Sequence, residues 1–343
     1  MTEIAIVLIN FVTGSLLIVT GVNAMGRTLE HANSKLLTHT MRLLSKNRWT
    51  SFLAGVFLTG LVQSSTAVTI LTVGFVDSGV MGLESAVGII YGANIGTTLT
   101  AQFMSFHIAG YCWYILVAGC VLSFGPVKGF KTAGNVLVGV GLMFTGLDIL
   151  GKSVVVIEQN DFLAQWLQNH SDNLFLCLFT GLIVTMLVQS SSATVGMTIL
   201  LFGSGLMPFA SAVAMTLGDN IGSCVTAQIA SLKSGTAGKR TAWAHTIYNI
   251  AGVIFALAVF PQFCALVQLC TRLAGQNGGR LVANTHTIFN VLSAVLFLPF
   301  SRYYVKFLKL LIPEGGRPGP SKAPEKTSGG TLRKRDDFNI RSI

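Results

Sequence analysis

Charged residues are scarce in this chain: Lys, Arg, Asp and Glu make up 10% of its 343 residues, whereas 51% are hydrophobic. The mean hydropathy of +0.65 excludes an ordinary soluble domain. We therefore predict an all-α membrane protein that crosses the lipid bilayer several times, because a crossing takes about 20 apolar helical residues. The runs predicted to cross are 4–26, 80–106, 109–125, 133–150, 208–230, 241–260 and 284–300.

Cysteine pairs of the C-x-x-C type are also missing, so the six cysteines predict no metal site, and only Cys264 and Cys270 could form a disulfide. The opening segment lacks a basic n-region, and we expect a retained first helix rather than a signal peptide. The net charge of +10 does not indicate nucleic acid, because most basic residues lie beside membrane segments and in the tail, as the positive-inside bias produces. Nothing in the sequence indicates an organic cofactor.

An internal repeat dominates the sequence. Residues 61–102 align with residues 187–228 at a constant offset of 126, with 20 identities in 42 positions and no gap. The stretch "LVQSSTA" matches "LVQSSSA", and "GANIGTTLTAQ" matches "GDNIGSCVTAQ". The chain is therefore predicted to be one domain built from two similar halves.

The predicted organisation follows from this repeat. Residues 313–343 are rich in Gly, Pro, Ser and charge, which predicts a disordered basic cytoplasmic tail. The membrane domain is predicted over residues 1–312, with repeat one at about 4–125, repeat two at about 133–260 and an extra C-terminal helix at about 284–300.

Two further apolar runs, 52–76 and 175–206, contain the polar QSS motifs, and charge counting hardly decides whether these runs cross. If both fold back, 20 of the 23 basic residues lie on one side; if both cross, the split is 19 to 4. Either way the N-terminus is predicted outside and the C-terminus in the cytoplasm. The linker 27–48 carries five basic residues and one acid, whereas 152–172 carries one base and three acids. A basic linker and an acidic linker are expected on opposite sides of the membrane, as inverted repeats require.

A re-entrant turn would explain polar residues in a membrane segment, because irregular backbone survives there only when protein or a water-filled cavity receives it. Two arms of about 12 residues, each about 18 Å long, reach only mid-membrane. The carbonyls that end the first arm suit a cation, and the N–H groups that begin the second suit an anion. The polar residues of these turns are Gln63, Ser64, Ser65 and Thr66 in repeat one, and Gln189, Ser190, Ser191 and Ser192 in repeat two.

The motifs "GANIG" and "GDNIG" predict an interruption in one helix of each repeat. Glycine ends helices readily, asparagine tolerates unusual backbone, and hydroxyl residues cap a following helix. Broken helices beside re-entrant turns recur at the mid-membrane sites of secondary transporters. The residues concerned are Gly92, Asn94 and Thr97 in repeat one, and Gly218, Asn220 and Ser223 in repeat two.

Asp219 is the odd member of this pair, since repeat one has Ala93 at the matching position. A carboxylate inside a membrane is costly, which makes it a candidate sodium or proton ligand; a buried structural hydrogen bond is the alternative. A second echo, "AHTIYN" at 244–249 and "THTIFN" at 285–290, places His245 and His286 near the start of two spans. These histidines are either proton relays or structural, and we retain them as supporting candidates.

The two QSS motifs, each followed by NIG, and the H-T-I-[YF]-N motif near the end resemble the sodium-phosphate cotransporter II family in its shorter bacterial form. The resemblance covers about residues 1–312. It implies two inverted repeats, each with a re-entrant hairpin and a broken helix, working by elevator-like alternating access. It also implies sodium-driven uptake of inorganic phosphate across a bacterial inner membrane, with sodium as the only coupling ion.

The resemblance also implies site residues. Phosphate would be held by Gln63, Ser64, Ser65, Gln189, Ser190 and Ser191, with Asn94 and Asn220 shared between phosphate and sodium. Sodium would use Thr66, Ser192, Thr97, Ser223, Asn94 and Asn220. Asp219 joins the predicted sodium ligands because it is an intramembrane carboxylate, not because of the resemblance. This sequence departs from the family at Thr66, where a third serine is usual, and at Thr246, where electrogenic animal members have Asp. The number of sodium ions per phosphate therefore stays open.

Other functions fit parts of the pattern. Hydroxyls and N–H groups do not by themselves choose phosphate, so symport of another oxyanion or of a carboxylate is the main alternative. An intramembrane hydrolase using Ser65 or Ser191 with His245 is weaker, since neither serine has a base at a recognisable spacing. A non-transporting scaffold would show no flux, and a homodimer is an open alternative to a monomer. No Lys or Arg lies inside the repeat motifs, so bound cations would have to neutralise a phosphate dianion.

Overall fold

A computed structural model describes residues 2–44, 47–106 and 109–314, and these residues form helices without any β-strand. Residues up to Pro313 form one compact unit. The predicted tail, apart from its first two residues, lies outside the described part of the chain, and so does a short piece of the linker predicted over 27–48.

Fifteen α-helices follow one another along the described residues. They are α1 Thr2–Leu44, α2 Arg48–Val62, α3 Ser65–Asp77, α4 Leu83–Met104, α5 Cys112–Ser123, α6 Lys128–Gln159, α7 Asp161–Ser171, α8 Leu174–Val188, α9 Ser191–Gly203, α10 Phe209–Gly222, α11 Val225–Ser231, α12 Thr236–Ala258, α13 Phe260–Leu273, α14 Leu281–Phe297 and α15 Ser301–Leu311.

Within the described residues, four helical segments are long and apolar enough to cross a bilayer. A fifth appears if α7 and α8, bent by 107° at their junction, are counted as one span. These lengths and compositions fit the predicted all-α, multi-pass membrane protein. The four segments are Glu3–Asn33, Lys128–Gln159, Thr236–Ala258 and Gly278–Leu311.

Helices α1 and α6 pack against each other in opposite directions through small residues. Gly14 lies against the backbone of Gly146, and Gly21 lies against the backbone of Gly139. Small residues let helix backbones approach closely, which is a common way for helices to associate in lipid. This pair joins the leading helices of the two predicted repeats.

Helices α2 and α4 run in the same direction. Going along both helices, Gly88 lies against the Arg48 carbonyl, Gly92 against Phe52 and Gly96 against Val56. Because α2 and α4 are parallel, α3 runs in the opposite direction and returns the chain to the level at which α4 begins. Repeat two has the same arrangement, with Gly218 against Leu178 of α8 and Gly222 against Leu182. Helix α9 therefore runs in the direction opposite to α8 and α10.

The predicted helix break at "GANIG" is wrong for repeat one. Helix α4 continues from Leu83 to Met104 through the whole motif, so Gly92 ends no helix and Thr97 caps none. The glycines serve close packing instead, because a Cβ at Gly92 would collide with the Phe52 carbonyl.

The break in repeat two is slight and lies after its motif. Gly218 is inside α10, which ends at Gly222, and α11 begins at Val225. Ser223 (φ −62°, ψ −22°) and Cys224 (φ −69°, ψ −18°) keep right-handed helical angles. Ser223 therefore ends α10 instead of capping the next helix, and its hydroxyl donates to the Asn220 carbonyl at 2.8 Å.

Helices α12 and α14, which carry the two H-T-I-[YF]-N motifs, each contact both repeats. Both helices pack on α4 and on α10. Within the motifs, Gln228 donates to Thr246 of α12 at 2.7 Å, and Gln102 of repeat one donates to Thr287 of α14 at 3.0 Å. Each motif helix therefore connects α4 of repeat one with α10 of repeat two.

Candidate functional site

Each QSS motif forms a tight turn between two helices, and we call residues 63–65 and 189–191 the two QSS turns. Gln63 (φ 55°) and Gln189 (φ 53°) are the only non-glycine residues with positive φ in the described chain. Each closes its helix through its backbone N–H, which donates to the carbonyl of Thr59 or Thr185 at 2.7 Å. A left-handed non-glycine residue costs about 1–3 kcal/mol and commonly marks a functional site.

Helices α3 and α9 begin directly after these turns, with Ser64 and Ser190 at the extended capping positions. The Ser64 hydroxyl accepts a hydrogen bond from the Ala67 N–H at 3.2 Å, whereas the Ser190 side chain makes no such cap. Both helices therefore direct their positive N-terminal ends and several hydroxyls toward the turns, which is an arrangement that attracts anions.

The two QSS turns meet at one cavity of about 80 Å³. A single water needs only about 10–15 Å³, so the cavity has room for a small polyatomic ion. No charged side chain lines it among the described residues. Ten of the predicted site residues line it, namely Gln63, Ser64, Ser65, Thr66, Thr97, Gln189, Ser190, Ser191, Ser192 and Ser223.

The two asparagines of the NIG motifs lie outside this cavity and are buried behind it. The Asn94 amide donates to Asn249 at 3.0 Å, and its oxygen lies 3.0 Å from Nε2 of His245. Asn220 accepts from the Asn290 amide at 3.1 Å and donates to the Thr216 carbonyl at 2.8 Å. In this arrangement both asparagines bind the motif helices α12 and α14, and direct contact with an ion would require new partners.

Asp219 also lies outside the cavity and is fully buried. Its Oδ1 accepts a hydrogen bond from Thr185 at 2.7 Å, whereas its Oδ2 has no partner among the described residues. The carboxylate therefore does not line the cavity between the two QSS turns, although the sequence grouped it with the residues that do.

The two glutamines differ in their surroundings. Gln63 is 8% exposed, its Oε1 accepts from Thr100 at 2.7 Å, and its amide nitrogen donates to the Gly60 carbonyl. Gln189 is exposed, and its side chain makes no hydrogen bond within the described residues. The Gln63 side chain is therefore held by the protein, whereas no described residue holds the Gln189 side chain.

Two polar residues that line the cavity, Asn23 and Thr226, were not predicted from the sequence. Asn23 is a polar residue in the apolar first helix, within the stretch "TGVNAMG", and that isolation was a usable signal. Thr226 lies in "TAQ", which both repeats share. His286 lies beside Thr97, Ser191 and Ser192 at a small gap next to the cavity, whereas His245 contacts Asn94.

A larger cavity of about 350 Å³ lies elsewhere, between α1, α6, α7, α8 and α9. Its lining is almost entirely apolar and includes Phe11, Leu150, Val154, Trp166 and Leu200. An inorganic anion would lose its hydration there without gaining hydrogen bonds. The polar cavity between the QSS turns is therefore the better candidate for an ionic substrate.

Comparison with known proteins supports a transport role. A family model described as Na+/Pi-cotransporter matches residues 17–152 and 158–284. Protein YqeW of Bacillus subtilis, which is uncharacterized, is 27% identical over 311 residues, or 90% of this chain and 99% of its own length. No solved structure matches the chain significantly.

Two relatives have names that mention phosphate. The putative inorganic phosphate export protein YjbB of Salmonella typhimurium is 26% identical over 263 residues, covering 76% of this chain and 48% of that protein. The chain thus spans about half the length of that relative. The sodium-dependent phosphate transport protein 2A of Ovis aries is 32% identical over 149 residues, covering 39% of this chain and 23% of that protein.

The two segments matched by the family model contain both QSS turns and all the residues that line the polar cavity. They also contain α12, whose histidine and asparagine hold Asn94. The function that the match carries is transport rather than catalysis. This chain therefore belongs to the Na+/Pi-cotransporter family.

Proposed function

We propose that this protein is a sodium-coupled symporter that imports inorganic phosphate and binds phosphate and sodium between its two QSS turns. The observation that carries the proposal is the meeting of both turns at one small polar cavity, although they lie 126 residues apart in the sequence. Hydroxyls, amides and the N-terminal ends of α3 and α9 suit a phosphate oxyanion.

Sodium coupling follows from the charge of the cavity. A phosphate dianion in a site without Lys or Arg needs bound cations, and the carbonyl ends of α2 and α8 suit them. The proposed phosphate ligands are Gln63, Ser64, Ser65, Gln189, Ser190 and Ser191. The proposed sodium ligands in the same cavity are Thr66, Thr97, Ser192 and Ser223. Asn94 and Asn220 would join either set only by leaving their present partners.

We further propose that α2–α3 and α8–α9 are re-entrant hairpins in two inverted repeats. The arms have 15, 13, 15 and 13 residues, or about 20–23 Å each, which is shorter than a bilayer core of about 30 Å. In each repeat, the returning helix connects two parallel helices that pack directly on each other. Elevator-like alternating access would move both turns together with their bound ions, in a bacterial inner membrane with the N-terminus outside.

Phosphate uptake into proteoliposomes under an inward sodium gradient tests the proposal. We expect sodium-driven uptake by the intact protein and a loss of about tenfold or more with Gln63→Ala or Gln189→Ala, because a hydrogen bond to a charged group is worth about 1.5–3 kcal/mol. Gln262→Ala, at an exposed position in α13, is the matched control. Uptake that ignores sodium, or that survives both substitutions, would rule the proposal out.

Export is the second candidate, because one relative is named a putative phosphate export protein. A symporter moves phosphate in the direction set by the combined gradients, so an inward sodium gradient drives import. Net efflux from phosphate-loaded vesicles would favour an exporter if it is faster with no sodium on either side of the membrane than with sodium on both sides. Competition by sulfate, arsenate and succinate in the uptake assay distinguishes phosphate from other oxyanions and carboxylates.

A further inference from the structure

The two repeats differ beneath their QSS turns, where three helices of each repeat meet. In repeat two, Thr185 of α8, Thr194 of α9 and Asp219 of α10 form a connected group, which we call the polar trio. At an offset of 126, repeat one has Thr59, Val68 and Ala93 in the matching positions. Repeat one therefore builds the same helix junction with no carboxylate and with one hydroxyl fewer.

The polar trio is completely enclosed. The Thr185 hydroxyl lies 2.7 Å from Oδ1 of Asp219 and 2.7 Å from the Thr194 hydroxyl. The three residues are 0%, 1% and 0% exposed. Oδ2 of Asp219 has no hydrogen-bond partner among the described residues. The described residues also place no cationic side chain in an ion pair with this carboxylate.

The oxygens of the trio can accept more hydrogen bonds than its hydroxyl groups can donate. Its four side-chain oxygens carry only two hydroxyl hydrogens, and an ionised carboxylate alone accepts several bonds. A buried charge without a partner is costly. The fold does not require this charge, since repeat one forms the junction with Val68 and Ala93. A cation between these oxygens removes the imbalance.

We propose that the polar trio binds a sodium ion of its own, separate from the cavity between the QSS turns. This inference rests on the proposed symport function and assigns one of its coupling ions. The backbone carbonyl of Thr185 accepts the Gln189 N–H at 2.7 Å, so the trio adjoins the second QSS turn directly. A sodium ion on the trio thereby stabilises the turn whose glutamine side chain is unheld, and it prepares that turn for phosphate.

Direct binding is tested without transport, on detergent-purified protein in the absence of phosphate. We expect sodium, compared with an equal concentration of choline, to raise the melting temperature of the intact protein. Asp219→Asn and Thr194→Val should remove most of that rise. Thr59→Val, the counterpart in repeat one, should leave the rise unchanged. If Asp219→Asn does not fold, Thr194→Val decides, because valine is the residue that repeat one carries there.

Transport assays then measure how sodium binding at the trio is coupled to phosphate uptake. In proteoliposomes, we expect Asp219→Asn to raise the sodium concentration for half-maximal uptake about tenfold and to lower the charge moved per phosphate by one. Thr194→Val should raise that sodium concentration without changing the charge. Thr59→Val should match the intact protein.

The outcomes separate this inference from the proposed function. If the intact protein shows no sodium-driven uptake, the proposed function fails, whatever the trio does. If uptake is sodium-driven but Asp219→Asn keeps the same sodium dependence and charge, the trio site is overturned and the symporter stands. A melting temperature that follows pH and ignores sodium would also overturn the site, since the carboxylate would then bind a proton.

Discussion

The two QSS turns have the same backbone but different support. Gln63 is buried and held by Thr100 and the Gly60 carbonyl, whereas the Gln189 side chain is exposed and unheld. Ser64 caps its helix, and Ser190 does not. Duplication therefore preserved the turn itself and let its surroundings diverge. Under the proposed function, the first turn is preorganised for its ligand, and the second is ordered by ligand binding.

The largest expected effect is one that both repeats share. Gly92→Ala and Gly218→Ala place a methyl group against the backbone carbonyls of Phe52 and Leu178, and each should lower the free energy of unfolding by about 3 kcal/mol or prevent folding. Gly74→Ala, with no atom near the added Cβ, is the control. Monodispersity and thermal melting in detergent measure the outcome. Tolerance of either substitution would mean that close helix packing is not common to the halves.

Replacing the two NIG asparagines should destabilise the protein to different extents. Asn94→Ala leaves Oδ1 of Asn249 and Nε2 of His245 without a hydrogen-bond partner among the described residues, whereas the Asn290 amide that Asn220→Ala releases still donates to the His286 carbonyl. An unsatisfied buried polar group costs about 1–3 kcal/mol, so Asn94→Ala should melt at the lower temperature. Equal melting temperatures would contradict this asymmetry.

Breaking the support of Gln63 should weaken phosphate binding. Thr100→Val removes the hydroxyl that donates to Gln63, and the phosphate concentration for half-maximal uptake should rise about fivefold, or about 1 kcal/mol. Thr98→Val, in the same helix but outside the cavity, removes a hydroxyl that donates to the Ile95 carbonyl and should change that phosphate concentration less than twofold. Similar effects of both substitutions would indicate that the Thr100 hydroxyl does not support Gln63.

The smallest expected effect concerns the capping serines. Ser64→Ala removes a cap from α3 and should lower stability by about 1 kcal/mol. Ser190→Ala removes no cap and should leave the melting temperature unchanged while weakening phosphate uptake. A stability loss for Ser190→Ala would show that the second turn is more rigid than its contacts indicate.

The repeat and the family resemblance together predicted ten of the residues that line the cavity, because equivalent polar turns in two halves of one transporter domain are expected to meet. The predicted break at "GANIG" failed because glycine either ends a helix or lets another helix approach, and only the position of α2 distinguishes these uses. The hydrogen-bond partners of Asn94 could not be predicted from the sequence either. The motif "AHTIYN" was visible, but its contact with α4 depends on tertiary packing that no local pattern specifies.

The shared position of α12 and α14 also bears on how such a duplicated chain is assembled during synthesis. Asn94 and Gln102 are made early, yet the residues that satisfy them, Asn249 and Thr287, come after position 240. The first half thus leaves the ribosome with one buried and one half-buried polar side chain whose partners its own length does not contain. Its folding has to wait for the end of the chain, and a gene cut between the halves would need both products in the same membrane at the same time.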